Sequence, residues 1–292
     1  MLAELTQRGV PALAVLRPTG DARRLASLAR LETVRSERLD DPALGQRLRA
    51  WRPTVLIHSA WHGVNGQDRN ELFQVTENLP LTAAAVELAR EAGCSSWIGF
   101  GSQAEYGNQN RILDESAPTH PTTLYGKAKL AAGIAAMGLC EAAALCGTWL
   151  RVFSLYGQGD DSRCFVPHVI GEFLHGRAPK VTRCEQRWDY LNVTDAAHAV
   201  VAVVEKGASG VFNLGSGIAV PLRQVVEEIR HIIGTPVEPE YGAVAYRPDQ
   251  VMHLQADIAK LSQAVGWAPS VSLHDGLREC VSTIRQQDGR RP

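Results

Sequence analysis

The strongest constraint on the fold is the regular alternation of short apolar runs with longer amphipathic stretches. Four runs have the length and the aliphatic or aromatic content of strands: residues 12–16, 54–58, 97–100 and 149–153. Three longer stretches have apolar residues at helical spacing: residues 22–30, 79–92 and 125–145. Alternating strands and helices indicate a parallel sheet with helices on both faces. The sequence therefore predicts an α/β fold with a doubly wound parallel sheet.

The second half of the chain has a looser pattern. After Gly157, short apolar pieces are separated by Gly, Pro and Asp, and only one further strand-helix couple is predicted, at residues 211–214 and 222–233. No linker is long enough to separate two independent domains. We therefore expect a smaller second lobe that shares an interface and a cleft with the first.

Charge and composition exclude several classes of partner. The 292 residues carry 30 Lys and Arg against 31 Asp and Glu, so no global field favours nucleic acid or an anionic membrane. Every apolar run is much shorter than the roughly 20 residues that cross a bilayer, and no basic-then-apolar leader begins the chain. The six cysteines form no C-x-x-C pair, so neither a disulfide framework nor a metal site is expected. These features predict a cytosolic protein.

The beginning of the chain has an unusual pattern. Residues 1–8 resemble the second half of a helix that ends at Gly9, and no G-x-G-x-x-G turn precedes the strand at 12–16. We expect that the start lies inside the coding region, and that roughly 20 residues of strand, glycine turn and half a helix precede it. That strand would lie between the strands at 12–16 and 54–58, so two central edges would be unpaired and the chain poorly stable.

Tyr125, Lys129 and Ser102 are the residues that most clearly indicate chemistry. Tyr125 and Lys129 are four residues apart and share one face of the predicted helix. An ammonium on that face would favour the phenolate and bring proton exchange with a substrate oxygen toward neutral pH. Ser102, at the end of a predicted strand, could polarise the same oxygen. A Tyr and a Lys at this spacing usually form an exposed surface pair, so the surrounding sequence decides the interpretation.

Seven segments give that context: GSQAEYG at 101–107, LDESAP at 113–118, PTTLYGKAK at 121–129, LRVFSLYG at 150–157, RWDYLNVTD at 187–195, FNLGSG at 212–217 and GWAP at 266–269. In these segments the chain resembles the extended short-chain dehydrogenase/reductase family, which comprises sugar-nucleotide epimerases, dehydratases and reductases. The resemblance implies a Rossmann-like dinucleotide-binding domain, at 1–160 and 190–215, and a substrate-binding lobe, at 161–189 and 216–292. It also implies a homodimer through the helices that begin near Leu79 and Tyr125.

The resemblance also implies roles for individual residues. Tyr125 would be the acid/base, Lys129 would hold the nicotinamide ribose and lower the pKa of Tyr125, and Ser102 would bind the reacting oxygen. Further positions match the cofactor side: Leu39, Asp40, Ser59, Ala60, Trp61, Asn78, Phe153 and Ser154. On the substrate side, Arg187 and Arg247 match arginines that approach a nucleotide-sugar diphosphate, and Gln103 and Ser154 lie at positions next to the sugar.

The residues after Ser102 narrow the reaction. A 4,6-dehydratase of this family has an acid pair at the two positions that Gln103 and Ala104 occupy, and the C3/C5 epimerising reductases have a cysteine at the first of them. The remaining reactions, reduction of a 4-keto sugar and epimerisation at C4, need only Ser102, Tyr125 and Lys129. The interpretation that we favour is reduction of a 4-keto nucleotide sugar, with dTDP as the nucleotide, because 101–107 looks like the segment of 4-keto-6-deoxysugar reductases. The alternatives are a nucleotide-sugar 4-epimerase and a non-catalytic, nucleotide-sensing relative.

Arg17 bears on the choice of cofactor. It directly follows the strand at 12–16, where an acidic residue would bind the ribose 2′-hydroxyl of NAD. A cation there accommodates the 2′-phosphate of NADP instead. We therefore expect NADP(H) rather than NAD(H).

Overall fold

The structure is a computed structural model that describes residues 1–20, 22, 25, 26, 28 and 31–288. Its strands, in chain order, are β1 (Ala12–Leu16), β2 (Leu31–Arg35), β3 (Val55–His58), β4 (Ser96–Ser102), β5 (Arg111–Leu113), β6 (Cys146–Val152), β7 (Ser154–Tyr156), β8 (Lys180–Val181), β9 (Arg187–Asn192), β10 (Gly210–Leu214), β11 (Ala219–Pro221), β12 (Glu240–Tyr241) and β13 (His253–Ala256).

Its α-helices are α1 (Leu2–Gln7), α2 (Pro42–Trp51), α3 (Phe73–Thr76), α4 (Asn78–Glu91), α5 (Leu124–Ala142), α6 (Phe165–Leu174), α7 (Val193–Lys206), α8 (Leu222–Ile233), α9 (Ala259–Val265) and α10 (Leu273–Asp288). All the predicted strands are present, and four of the predicted helices match α1, α4, α5 and α8 within a few residues. The helix predicted at 22–30 lies largely outside the described residues.

The predicted parallel sheet is present in two parts. β10, β6, β4 and β3 pair in that order and all in parallel, while β1 and β2 form a separate parallel pair. Within the described residues, no backbone pairing joins β1 to β3. The two strands that were predicted to flank an absent strand are therefore unpaired with each other. Whether a further strand precedes Met1 stays a prediction.

Helices cover both faces of the four-stranded part, as a doubly wound fold requires. On one face, α2, α4 and α5 pack with Trp97 and Trp149 in one apolar core. On the other face, α7 and α9 pack against Ile98, Leu150 and Phe212 in a second core. β4 contributes to both cores because its alternate side chains point to opposite faces. It therefore lies between the two apolar cores, as an inner strand of the four-stranded sheet.

A third core, built around α6, α8 and α10, lies beside this sheet. The prediction of a single strand-helix couple after Gly157 is wrong, since α6, α7, α9 and α10 also follow it. α6 was missed because much of its surface is buried, including Val166, Val169, Ile170 and Phe173, so its sequence has little polar periodicity. The assignment of this region as the substrate lobe stays a prediction. No helix among the described residues has the length and apolar character needed to span a membrane.

β11, β9, β13 and β5 pair in that order in a further sheet, and Asp189 ties this sheet to the turn that follows β10. This fully buried carboxylate on β9 accepts hydrogen bonds from the Ser216 amide (2.6 Å), the Ser216 hydroxyl (2.6 Å), the Gly217 amide (2.9 Å) and the Ala256 amide (3.0 Å). Those donors come from the segment after β10 and from β13. The carboxylate therefore holds β9, β13 and the segment after β10 together.

Replacing Asp189 with Ala should lower the free energy of unfolding by about 3 kcal/mol, because it leaves buried backbone amides without an acceptor. Urea unfolding followed by circular dichroism measures this value. Glu141→Ala, on the exposed side of α5, is the control and should change it by less than about 0.5 kcal/mol. Equal stability of the two variants would contradict the assignment of Asp189 as a structural acceptor.

Candidate active site

Ser102 is the last residue of β4, and its position is fixed by two reciprocal hydrogen bonds. Its amide donates to Oε1 of Glu105 (2.8 Å), and its hydroxyl oxygen accepts from the Ala104 amide (3.2 Å). Together these bonds form a capping box over a short 3₁₀ turn, residues 103–105. The strand therefore ends with the Ser102 side chain held at the carboxyl edge of the sheet.

Tyr125 enters the site at the beginning of α5. Thr123 caps this helix by accepting a hydrogen bond from the Gly126 amide (3.1 Å), and the Tyr125 amide donates to the Arg69 carbonyl (2.7 Å). The Tyr125 side chain is partly buried and lies within hydrogen-bonding reach of Ser102. The pairing of Ser102 with Tyr125 predicted from the sequence is therefore present.

Lys129 lies one helical turn after Tyr125, on the same side of α5. Its side chain is buried, and Nζ donates to the Phe100 carbonyl (2.8 Å) on β4. The ammonium also lies 3.6 Å from the centroid of a Trp61 ring and 5.9 Å from that of Tyr125. An aromatic face within about 6 Å attracts a cation, so Trp61 stabilises the position of this ammonium.

The electrostatics of the pair differ from the sequence prediction. Burial raises the pKa of Tyr125, opposed by its hydrogen bond with Ser102 and by the Arg69 guanidinium. Burial also lowers the pKa of Lys129 to about 7, opposed by the Glu105 carboxylate. The pKa of Tyr125 is therefore raised on balance, because the spacing of the two residues says nothing about how much water surrounds them. The lowering effect expected from Lys129 stays a prediction. Tyr125 is protonated at neutral pH.

The loop after β3 is anchored by two buried amides. Gln74 accepts a hydrogen bond from Nε1 of Trp61 (2.9 Å) and donates to the Gly63 carbonyl. Asn78 accepts from the His62 amide (2.7 Å) and donates to the His62 carbonyl (3.0 Å). Asn78 thus shapes the loop that carries Trp61, and its predicted place on the cofactor side stays a prediction.

The remaining cofactor-side residues are spread along the sheet. Arg17 is exposed after β1. Leu39 packs against the apolar core that contains Trp97 and Trp149, whereas Asp40 is exposed and paired with Arg38. Ser59 and Ala60 are exposed in the turn that leads to Trp61. No hydrogen bond or ring contact in the described part of the chain joins any of these five to Tyr125 or Lys129.

Phe153 and the substrate-side residues lie on neighbouring elements. The buried Phe153 donates its amide to the Leu214 carbonyl (2.9 Å), and Ser154 begins β7. Gln103 follows Ser102 directly. Arg187, on β9, donates to the Ala219 carbonyl (2.8 Å), so one of its N–H groups is engaged. Each of these substrate assignments stays a prediction.

Arg247 lies close to the loop between β3 and α3. Its side chain is exposed, 3.9 Å from an Asp249 oxygen, and Nη1 lies 4.0 Å from where a Cβ on Gly66 would be. That loop continues to Arg69, whose guanidinium carbon is 5.9 Å from the Tyr125 ring centroid. The structure thus brings Arg247 toward Tyr125, while it shows no contact between Arg187 and Tyr125 among the described residues.

Sequence reasoning missed two charged residues of this site. Arg69 contacts Tyr125 through both its carbonyl and its guanidinium, and Glu105 binds the Ser102 amide. No local pattern marks Arg69, because its partner lies far along the chain. Glu105 had a signal: Ser102 followed three residues later by Glu is the capping-box spacing.

The hydrogen-bonding groups around Lys129 suit the ribose of the nicotinamide cofactor that the resemblance implies. Lys129 has one hydrogen bond to protein within the described residues, so its ammonium keeps two N–H groups for ribose hydroxyls. His58 is buried at the end of β3. Its Nε2 atom has no hydrogen-bond partner among the described residues. Burial, with Lys129 acting in the same sense, lowers the pKa of His58 to about 4, so its ring is neutral at pH 7. Lys129 and Tyr125 are the residues that would hold the ribose.

Comparison with known proteins gives a family match over most of the chain. The family described as the NAD dependent epimerase/dehydratase family matches residues 1–215. UDP-glucose 4-epimerase from Corynebacterium glutamicum is 29% identical over 248 residues, which are 77% of this chain and 73% of that protein. The dTDP-6-deoxy-L-talose 4-dehydrogenase (NAD(P)(+)) from Kitasatospora kifunensis is 28% identical over 234 residues, with 76% and 73% covered.

A solved structure supports the same fold. The UDP-glucuronic acid 4-epimerase from Bacillus cereus, in complex with UDP-glucuronic acid and NAD, superposes with a TM-score of 0.84 at 20% identity. The superposition covers 98% of this chain and 95% of that one. At this identity the likeness concerns the fold, and it agrees with the doubly wound arrangement described above.

The buried ammonium of Lys129 predicts a specific pH dependence of stability. The pKa of Lys129 falls from its ordinary value near 10.5 in the unfolded chain to about 7 in the folded one. Between these values the unfolded chain binds more protons, so the contribution of Lys129 to the free energy of unfolding should rise with pH by about 1.4 kcal/mol per unit.

Lys129→Met removes this titration while keeping the length of the side chain. Urea unfolding at pH 7, 8 and 9 should show the wild type gaining stability relative to K129M as the pH rises. Lys127→Met, exposed on the same helix, is the control and should run parallel to the wild type. A constant difference between wild type and K129M would contradict a buried, readily deprotonated Lys129.

Proposed function

We propose, since the chain belongs to the NAD dependent epimerase/dehydratase family, that it reduces the 4-keto group of a nucleoside-diphosphate deoxysugar with NADPH. The observation that carries this proposal is the juxtaposition of Ser102 and Tyr125, with Lys129 one helical turn away. The hydroxyl of Ser102 and the phenol of Tyr125 would both donate to the carbonyl oxygen of the substrate. Neither Gln103 nor Ala104 offers the extra acid or base that dehydration needs.

The protonation state of Tyr125 is compatible with reduction. Reduction of a ketone needs an acid that delivers a proton to the carbonyl oxygen, whereas oxidation of an alcohol needs a base. Because burial raises the pKa of Tyr125, the phenol carries its proton at neutral pH. The residue is thus in the form that the reductive direction requires. The nicotinamide cofactor, when bound, supplies the hydride.

Several observations support the substrate and cofactor that we propose. One relative is named as a 4-dehydrogenase of a dTDP-deoxysugar and as a user of NAD(P), which favours dTDP and leaves both cofactors open. Arg17 after β1 favours NADPH, since its exposed side chain can approach a 2′-phosphate. Arg35 lies next to it, donating to the carbonyls of Arg17 (2.9 Å) and Pro18 (2.6 Å), and adds a second cation at this end of β1.

A nucleotide-sugar 4-epimerase is the second candidate. The similarity to the Corynebacterium glutamicum UDP-glucose 4-epimerase favours it, and epimerisation at C4 uses the same three residues. The two functions differ in cofactor balance, because a reductase consumes one NADPH for each product and an epimerase consumes none. An activity assay therefore separates the two functions if it includes incubation with NAD⁺ and UDP-glucose, followed by analysis of the sugar.

We also propose a homodimer through α4 and α5. These two helices pack side by side, and α5 exposes the apolar side chains of Ile134 (68% exposed) and Leu139 (42% exposed). Exposed apolar side chains on a helix such as α5 are typical of a subunit interface.

Tyr125→Phe removes the proton donor and should lower kcat by about 10²- to 10⁴-fold. The measurement is loss of NADPH absorbance with dTDP-, CDP- and GDP-linked 4-keto-6-deoxyhexoses. Tyr241→Phe, whose hydroxyl contacts Glu227 in the third core, is the matched control and should keep its activity. Unchanged turnover in Y125F would exclude Tyr125 as the acid. If the wild type consumed no NADPH but interconverted UDP-sugars with NAD⁺, the epimerase candidate would replace the reductase.

Arg17→Glu places a carboxylate where the 2′-phosphate of NADPH would lie. Loss of one charge-assisted hydrogen bond costs about 1.5–3 kcal/mol, so the Kd for NADPH should rise about 10- to 100-fold. The Kd for NADH should change less, which calorimetric titration with both nucleotides measures. Arg285→Glu, exposed on α10, is the control for net charge. An equal change for NADPH and NADH would show that Arg17 does not read the 2′-phosphate.

A further inference from the structure

Glu105 is a fully buried carboxylate that the proposed chemistry does not use. Its Oε1 accepts hydrogen bonds from the Ser102 amide (2.8 Å) and from Nε1 of Trp149 (3.0 Å). Its Oε2 accepts from Nε of the buried Arg151 (2.8 Å). Burying a charge is costly unless it is paired and hydrogen-bonded, and here both oxygens have such partners. Each oxygen of the carboxylate therefore has a hydrogen-bond partner in the interior, directly behind the candidate site.

Two glycines provide the space that this arrangement occupies. A Cβ on Gly101 would lie 2.3 Å from Oε1 of Glu105 and 2.3 Å from Nε1 of Trp149. A Cβ on Gly133, in α5, would lie 2.7 Å from the same indole nitrogen. Real Cβ atoms do not approach other atoms this closely, so glycine at 101 and 133 lets β4 and α5 close around Trp149 and Glu105.

Arg151 extends the network away from the site. Its Nη1 donates to the Tyr106 hydroxyl (3.0 Å), which donates in turn to Oδ1 of Asn213 (2.7 Å). Nδ2 of Asn213 donates to the Leu113 carbonyl (2.8 Å). The network thereby joins β4, β6, β10 and β5. Its rigid attachment to four strands means that the Glu105 carboxylate cannot drift away from Ser102.

Lys129 is affected by the same carboxylate. Its Nζ binds the carbonyl of Phe100, two residues before Ser102 on β4. The titratable groups around this ammonium are His58 on β3, Tyr125 on α5 and Glu105 with its partner Arg151. His58 is neutral at pH 7 and Tyr125 is protonated, so Glu105 is the anion of this group. Its charge raises the pKa of Lys129 against the larger effect of burial.

We infer that Glu105 is a positioning residue, which fixes Ser102 through its amide and places a negative charge behind the strand end to which Lys129 is hydrogen-bonded. It touches neither substrate nor cofactor and acts only through these two residues. Its effect on turnover rests on the proposed function, whereas its effect on the charge of Lys129 does not. The two effects can therefore be tested separately.

The first test reads the charge of Lys129 directly. The chain has only five lysines, so protein labelled with ¹³C at lysine Cε gives five resonances, and Lys129→Met identifies the one of interest. In the wild type this resonance should titrate near pH 7. In Glu105→Gln its midpoint should fall by about one pH unit or more, because the anion is lost while Arg151 keeps its charge.

Two further variants keep this test decisive. The double variant Glu105→Gln, Arg151→Met removes both charges of the pair, so it does not leave Arg151 buried without its anion if the single variant fails to fold. The midpoint of the Lys129 titration in this double variant should lie between those of wild type and E105Q. Asp189→Asn neutralises an equally buried carboxylate outside the site and should leave the Lys129 midpoint unchanged. The inference is overturned if E105Q leaves the midpoint where it is, or if D189N moves it equally.

The second test concerns turnover. E105Q should lower kcat with the ketosugar about 10- to 100-fold, with the KM for the sugar changed by less than about threefold, since the sugar contacts themselves are intact. The limb of the pH profile on which activity falls as Lys129 deprotonates should move to lower pH in the same variant. D189N, with similar or greater loss of thermal stability, should keep its kcat and its profile. A kcat for E105Q that falls only in step with its folded fraction would reduce Glu105 to a structural residue.

Discussion

The candidate site depends on how β4 ends. The strand ends at Ser102 because the Ser102 amide donates a hydrogen bond to Glu105 and the Ser102 hydroxyl oxygen accepts one from the Ala104 amide. The chain therefore turns immediately after this residue. The same strand end presents the Phe100 carbonyl to Lys129 and the Ser102 side chain to Tyr125. Three residues from two elements are therefore placed by one short piece of backbone. Any change that lets the strand run on, or lets it end earlier, would separate them.

Burial determines what these residues can do. In water, a lysine near a tyrosine would be expected to lower the pKa of the phenol. Here both side chains have lost most of their water, so the phenol keeps its proton and the ammonium becomes easy to deprotonate. A proton donor next to Ser102 suits the delivery of a proton to a carbonyl oxygen. The ring of Trp61 and the carboxylate of Glu105 offset part of the cost of burying the ammonium.

Much of the fold could be predicted because its strands are short apolar runs between turn residues. β1 and α8 were predicted to the residue, and the ends of α5 within a few residues. α6 could not be recognised from its periodicity, because it is buried over much of its surface. β9 was not predicted, for a different reason. It contains polar residues such as Asp189, which binds backbone amides of other segments inside the protein. Such long-range partners leave no local pattern in the sequence.

The candidate site shows the same division. The spacing of Tyr125 and Lys129 and the segment around Ser102 were sufficient to select the three central residues. The direction of the pKa changes was not predictable, since it depends on how deeply the fold buries the two side chains. The contribution of Glu105 could have been suspected from the capping-box spacing, but its pairing with Trp149 and Arg151 needs the folded β4–β6 pair.

The central claim, reduction of a sugar ketone, is tested most directly by following the hydrogen that reaches C4. NADPH that carries deuterium at both C4 positions of the nicotinamide should be incubated with the protein and a dTDP-4-keto-6-deoxyhexose, and the sugar product should be analysed by mass spectrometry. The account predicts one deuterium in each product molecule, located at C4. A product formed without deuterium, or the absence of any reduced sugar while the nucleotides are bound, would contradict it.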